Sequence, residues 1–181
     1  DNGGVAELHA HPFDVGDNSP LFHGKVTMYE GGIRVPLLID WPGVTEAGRV
    51  TDVPVDLLDL YPTILEMADA PPPQGQVMDG VSLVPLLRGE DRFERGPLYW
   101  HFPHIVTPAK RFPGRNTHFV GVTREGDWKL ILSYEDESVE LFNLSEDIGE
   151  TNNLADTYPD RAQEMKRDLQ KWLEEVDARM P

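Results

Sequence analysis

The chain opens on Asp1-Asn2-Gly3-Gly4, two adjacent oxygen-bearing side chains followed by two glycines that let the backbone turn and bring both oxygens toward one point. Hard oxygens suit a hard cation such as calcium, although two ligands are too few for its shell and the same residues also make an ordinary turn. His9 and His11 form a His-x-His pair whose rings would share one face of a strand, as a zinc site requires. No acid or further His follows at a diagnostic spacing, so the pair reads as part of a polar loop. Lys25 follows Gly24, and Gly31-Gly32 precede an apolar run, a layout that can aim an ammonium at an anionic group or leave it solvated. From Gly96 to Arg124 there is no Asp or Glu, yet the stretch holds Lys110, Arg111, Arg115 and Arg124 with His101, His104 and His118. Trp100, Phe102 and Phe112 are interleaved, which suits a sulfated or carboxylated saccharide gripped by Arg forks and His donors and stacked on rings. The alternative is a solvated loop.

The rest of the chain is acidic. Sixteen Lys and Arg against 32 Asp and Glu give a net charge of -16 and a pI near 4.6, so neither nucleic acid nor an anionic membrane is expected as a partner. The absence of cysteine removes disulfides, thiolate metal sites and a cysteine nucleophile. No apolar run approaches a membrane span, and the first residues lack a basic start and an apolar signal segment. A length of 181 residues with 39% hydrophobic residues supports a packed core, and 16 Gly with 16 Pro predict many turns.

The elements that must position these residues follow from periodicity. The continuous apolar run Val35 to Trp41, ended by Pro42-Gly43, predicts a strand buried on both faces of a parallel or mixed sheet. Helical spacing from Val55 to Ala70, with Pro62 near a helix start, predicts a turn and then a helix ended by Pro71-Pro72-Pro73. Leu98 to Phe102, Thr117 to Thr123, Asp127 to Tyr134 and Val139 to Leu144 predict a small antiparallel sheet, with Arg124 to Asp127 as a hairpin connector. Ala162, Met165, Leu169, Trp172, Leu173 and Val176 recur at spacings of three and four and predict an amphipathic helix packed on that sheet. The expected division is an incomplete α/β catalytic part over residues 1–95 and a C-terminal subdomain over residues 96–181.

The segment from His23 to Pro36, with its Gly-Lys-x-x-x-Tyr-Glu-Gly-Gly-x-Arg-x-Pro pattern, and the preceding Asp-Asn-Gly together resemble the sulfatase family of the alkaline phosphatase superfamily. The likeness continues through Val55 to Thr63, Asp79 to Leu83, Tyr99 to His104, Gly126 to Leu130, Glu140 to Leu144 and Asn152 to Leu154. The resemblance implies the C-terminal part of an alkaline-phosphatase-like α/β fold ending in a small antiparallel sheet and a helix. It implies that Asp1 and Asn2 are calcium ligands and that Lys25 contacts the sulfate, as a catalytic and substrate-binding residue. Glu30 and Arg34 read as a structural ion pair supporting the loop. Family members carry a formylglycine made from Cys or Ser in a Cys/Ser-x-Pro-x-Arg motif; this chain has no Cys and no Ser with Pro two residues later. The nucleophile, the other acidic calcium ligands, and the Lys and His around the nucleophile are therefore expected in an N-terminal part of the same enzyme, which this chain would need as its partner. The implied activity is hydrolysis of sulfate esters, on a sulfated carbohydrate or an aryl sulfate, with His101, His104 and Arg115 as substrate contacts. The implied location is periplasmic or secreted. The alternatives are a phosphodiesterase or phosphonate hydrolase of the same superfamily, and a non-catalytic polysaccharide-binding module.

Overall fold

β-prone segments buried on both faces build the C-terminal sheet. Leu98–Phe102 (β1), Val120–Glu125 (β2), Trp128–Ser133 (β3) and Val139–Asn143 (β4) pair antiparallel in the order β1-β2-β3-β4, close to the predicted strands. These coordinates are a computed structural model that describes residues 2–4, 16–90, 93–104 and 119–181. Glu125 pairs with Trp128 across Gly126-Asp127, and Gly126 takes a positive φ of 56°, so the connector is a two-residue hairpin turn.

Each face of this sheet buries a different segment. Leu130, Leu132 and Leu141 point to one side and meet Ala162, Met165, Leu169 and Leu173 of the helix Pro159–Glu175 (α4). Those four helix positions recur at three and four residues, so one stripe faces the sheet, and each large side chain buried there contributes about 1.5–3 kcal/mol. Pro159 opens α4 with Asp160 in its first turn, both favourable at a helix N-terminus. On the other side Val120, Val122, Ile131 and Phe142 cover Tyr29, which comes from the N-terminal segment and is fully buried.

Two compact units result: Asp1–Pro36 with Pro97–Pro181, and Leu37–Gly96. The expected grouping of residues 1–95 differs, because Tyr29 and its neighbours bury themselves on the C-terminal sheet. In the Leu37–Gly96 unit, Leu57–Asp59 form a 3-10 turn leading into the helix Leu60–Met67 (α2), and Val84–Leu87 form a further helical turn (α3). Asp56 and Asp59 cap each other's backbone, and the buried Asp59 also accepts from Val81 N at 2.9 Å and pairs with Arg95. Thr63 Oγ1 donates to the Asp59 carbonyl at 2.5 Å and accepts from Leu83 N at 2.8 Å, tying α2 to α3.

The predicted strand Val35 to Trp41 is not formed. Residues 34–41 lie outside helices and strands, with Leu38 87% exposed, because a strand buried on both faces needs neighbours on each edge and none among the described residues pairs with it.

Gly121 of β2 lies opposite His101 of β1 and faces α4. A Cβ there would stand 2.6 Å from Tyr134 Oη and 3.1 Å from Leu169 Cδ2, so glycine is what lets the phenol reach His101 beneath the helix. Gly121→Ala should destabilise the chain by about 1–3 kcal/mol through overpacking, measured by urea unfolding; an unchanged midpoint would show that the contact relaxes freely.

Candidate functional site

The turn that presents Lys25 is built from short-range bonds. Thr27 N–H and Thr27 Oγ1 both donate to the Gly24 carbonyl, at 3.2 Å and 2.9 Å, so Lys25 and Val26 are the two central residues of a tight turn. Val26 has a φ of 76°, in a region that costs a β-branched residue about 1–3 kcal/mol and persists only where its surroundings impose it. Lys25 itself is exposed at the tip.

Glycines bring the N-terminal residues onto this turn. Lys25 N–H donates to the Gly4 carbonyl at 2.9 Å, and Gly3 N–H donates to the Gly32 carbonyl at 2.9 Å. A Cβ on Gly3 would collide with the Gly31 carbonyl, and one on Gly32 with those of Thr27 and Gly24, so only glycine allows these backbones to touch. Asn2 is thereby held beside the helical turn Glu30–Ile33 (α1) and two residues from the backbone partner of Lys25. Asp1, Arg115, His9 and His11, and with them Lys110, Arg111, Phe112 and His118, lie outside the described residues.

Beneath the turn the loop is anchored by charge. Glu30 is buried and pairs through Oε1 with Lys129 Nζ at 3.0 Å and through Oε2 with Arg124 at 3.4 Å and Arg34 at 3.7 Å. Lys129 is fully buried and also lies 2.8 Å from Glu150 Oε1, while Glu150 Oε2 accepts from Glu30 N at 2.6 Å. One ammonium thus joins the loop, β3 and the turn after β4. Next to it Tyr29 Oη donates to Glu140 Oε2 at 2.5 Å. Burial pushes the Glu30 carboxyl up, but the charges of Lys129, Arg124 and Arg34 and the Lys129 hydrogen bond together hold it below its ordinary value. For Glu150 burial wins over Lys129, and the neighbouring Glu30 charge adds to it, so its carboxyl is raised. Arg34 acts on Glu30 as the sequence indicated, but the closer cation is Lys129, whose place in the Gly126 to Leu130 segment does not mark the pairing.

The two histidines behave differently. Tyr99 packs with the α4 cluster while Trp100 and Phe102 pack with the Tyr29 cluster, so His101, between the latter two, points to the α4 side. Its Nε2 lies 3.0 Å from the Arg179 carbonyl and must carry the proton, leaving Nδ1 to accept from Tyr134 Oη at 2.7 Å. Burial raises the Tyr134 phenol, which keeps its proton for that bond. The structure therefore engages both nitrogens of His101, one with Tyr134 just after β3 and one with the Arg179 backbone, on the sheet face opposite the one that carries Tyr29 and its loop. His104 is exposed just beyond β1, with its ring against Phe102 at 5.7 Å.

Residues 20–179 match the family model described as N-sulphoglucosamine sulphohydrolase, C-terminal. The chain belongs to this family. A sulfatase of Formosa agariphila is 42% identical over 170 residues, covering 87% of this chain and 30% of the relative. Among solved structures, Ps i-CgsB in complex with k-i-k-neocarrahexaose superposes with a TM-score of 0.74 at 30% identity, covering 94% of this chain and 34% of that one. The phosphonate monoester hydrolase SpPMH from Silicibacter pomeroyi does so with a TM-score of 0.57 at 27% identity, covering 87% and 32%. The fold is therefore the alkaline-phosphatase-like sulfatase fold, and this sulfatase C-terminal chain spans about a third of the length of these three proteins.

The two buried carboxylates give opposite pH signatures. Glu30, lowered, adds stability that is present above the ordinary carboxylate range and lost as pH falls through its folded value. Glu150, raised, binds more protons in the folded state, so its contribution is lost as pH rises through its folded value. Glu150→Gln keeps an oxygen for the Glu30 N–H but does not titrate. Its unfolding free energy should gain on the parent chain as pH rises from the ordinary glutamate value, whereas Glu30→Gln should lose ground as pH rises toward that value. Parallel stability curves in urea across pH 3 to 8 would contradict this assignment.

Proposed function

We propose that this chain is the C-terminal part of a calcium-dependent sulfatase that hydrolyses sulfate esters of a carbohydrate, with Asp1 and Asn2 as calcium ligands and Lys25 as the sulfate-binding cation. The observation that carries the reading is the 2.9 Å bond from Lys25 N to the Gly4 carbonyl, which brings the turn bearing an exposed ammonium to the strip of backbone that bears Asn2. Carboxylate and carboxamide oxygens suit calcium in kind, though not in number: among the described residues no group of three or more His, Asp or Glu is arranged to hold a metal. The rest of the shell, and the formylglycine nucleophile, belong to an N-terminal part of the same enzyme. Calcium, when bound there, would supply Lewis-acid stabilisation of the charge on a sulfate oxygen. Lys25 would orient the sulfate and offset negative charge on its other oxygens as the ester bond breaks. Exposed apolar residues of the Leu37–Gly96 unit, among them Leu38, Val50 and Ile64, support such a partner.

His104 and Arg115 would meet the sugar instead of the sulfate. His104 is exposed at the end of a strand, and Arg115 belongs to the acid-free stretch. Among the described residues no helix is long and apolar enough to cross a membrane, and a periplasmic or secreted location forms part of the proposal.

In the complete enzyme Lys25→Ala should lower kcat/KM about 100-fold or more on both an aryl sulfate and a sulfated oligosaccharide, since both carry the group it contacts. Retained activity on both would remove Lys25 from the site. His104→Ala and Arg115→Ala should raise KM for the oligosaccharide more than they slow the aryl ester, and equal losses on the two substrates would rule out sugar recognition. The isolated chain should turn over neither. Likeness to a phosphonate monoester hydrolase favours a second reading, which a higher kcat/KM on an aryl phosphonate than on the matching sulfate would establish.

A further inference from the structure

Three strips of backbone must meet if Asn2 and Lys25 are to face one ligand: the strip leaving Asn2, the strip entering the Lys25 turn, and the first turn of α1. Asn18 touches all three. Its Nδ2 lies 2.9 Å from the Gly4 carbonyl, 3.0 Å from that of His23 and 3.3 Å from that of Gly31. Two N–H bonds serve three acceptors, so the Gly31 contact is the shared and weakest one. A Cβ on Gly4 would stand 2.5 Å from Asn18 Oδ1, so the close approach of the amide also needs that glycine.

Backbone bonds join the strips in pairs: Gly3 to Gly32, Lys25 to Gly4, and Gly31 N to the Phe22 carbonyl at 3.0 Å. Each such bond spans two strips, whereas the Asn18 amide contacts all three. The amide of Asn18 is the group that references all three to one point. Its acceptors are carbonyls, which do not titrate, so its hold is independent of pH, unlike that of the buried carboxylates.

We propose that Asn18 is a positioning residue that sets the distance between Asn2 and Lys25 by clasping the backbones of Gly4, His23 and Gly31. This rests on the roles proposed for Asn2 and Lys25. Asn18→Asp keeps the shape but replaces both donors with an anionic acceptor facing three carbonyls, and Asn18→Ser keeps one donor.

The test uses the complete enzyme and two kinds of readout. Hydrogen exchange of the Gly3 and Lys25 amides should accelerate about tenfold or more in Asn18→Asp, with those of Val122 and Leu130 in the sheet unchanged. The calcium concentration giving half of the thermal upshift, and the KM for an aryl sulfate, should each rise about tenfold, with smaller changes in Asn18→Ser. Unchanged exchange at Gly3 and Lys25 overturns the clasp whatever the enzyme does. Faster exchange with unchanged KM and calcium half-saturation overturns its positioning role. A parent enzyme that neither cleaves the ester nor responds to calcium defeats the proposed function and with it the purpose of the clasp, while exchange still reports whether the clasp exists. If Asn18→Asp also loosens the sheet, the comparison is made on Asn18→Ser, where unchanged exchange again counts against the proposal.

Discussion

An ammonium stripped of water costs several kcal/mol unless anions and hydrogen bonds replace the lost hydration, and Lys129 is fully buried. Its replacements are Glu30 at 3.0 Å and Glu150 at 2.8 Å, one on the N-terminal loop and the other beyond β4. Removing the lysine would leave two carboxylates in a dry site, and moving the loop would leave the lysine. The three segments are therefore held by mutual necessity more than by favourable net energy, since an apolar core of the same volume could be as stable. What the ion triad adds is registry: apolar contacts around Tyr29 tolerate sliding, whereas charges at 3 Å do not.

That registry reaches the site through very short connections. Glu30 is five residues from Lys25, and Tyr29, between them, is fixed by Glu140 and by the rings of Phe22 and Phe142. The glycines at 31 and 32 then present a flat backbone on which Gly3 can lie. A turn with Val26 in left-handed conformation survives because its neighbours on both sides are already placed. Strain at the tip and buried charge at the base belong to one arrangement.

Legibility followed the length scale of the constraint. The sheet and α4 were readable because period-two and period-3.6 patterns express contacts within the chain described here, and the hairpin at Gly126 is local chemistry. The Val35 to Trp41 run misled because an apolar run forms a strand only where other strands pair with it, and none among the described residues does. The face of His101 follows from alternation once Trp100 and Phe102 pack around Tyr29, since the residue between them must lie on the other side. Lys129 gave only a faint signal, a charge on the same strand face as Ile131, since its pairing with Glu30 depends on a loop 99 residues away in sequence and its pairing with Glu150 on the turn after β4. Asn18 gave none, because its acceptors are backbone carbonyls and any residue can supply those. Asp1 and Arg115 stand as readings of sequence and family likeness alone.

Two lysines show how the fold divides one chemistry into two uses. Lys129 sits between carboxylates, so its charge is spent inside the molecule and projects little field outward. Lys25 lies on the same loop that Lys129 secures but is exposed, and the acid nearest in sequence on its C-terminal side, Glu30, is turned inward to Lys129 and Arg124. In a chain of net charge -16, an exposed ammonium would ordinarily be surrounded by carboxylates competing for it. Directing Glu30 into the core removes the acid that follows Lys25 most closely in sequence from competition for its ammonium, and the same ion pair orders the loop that carries it.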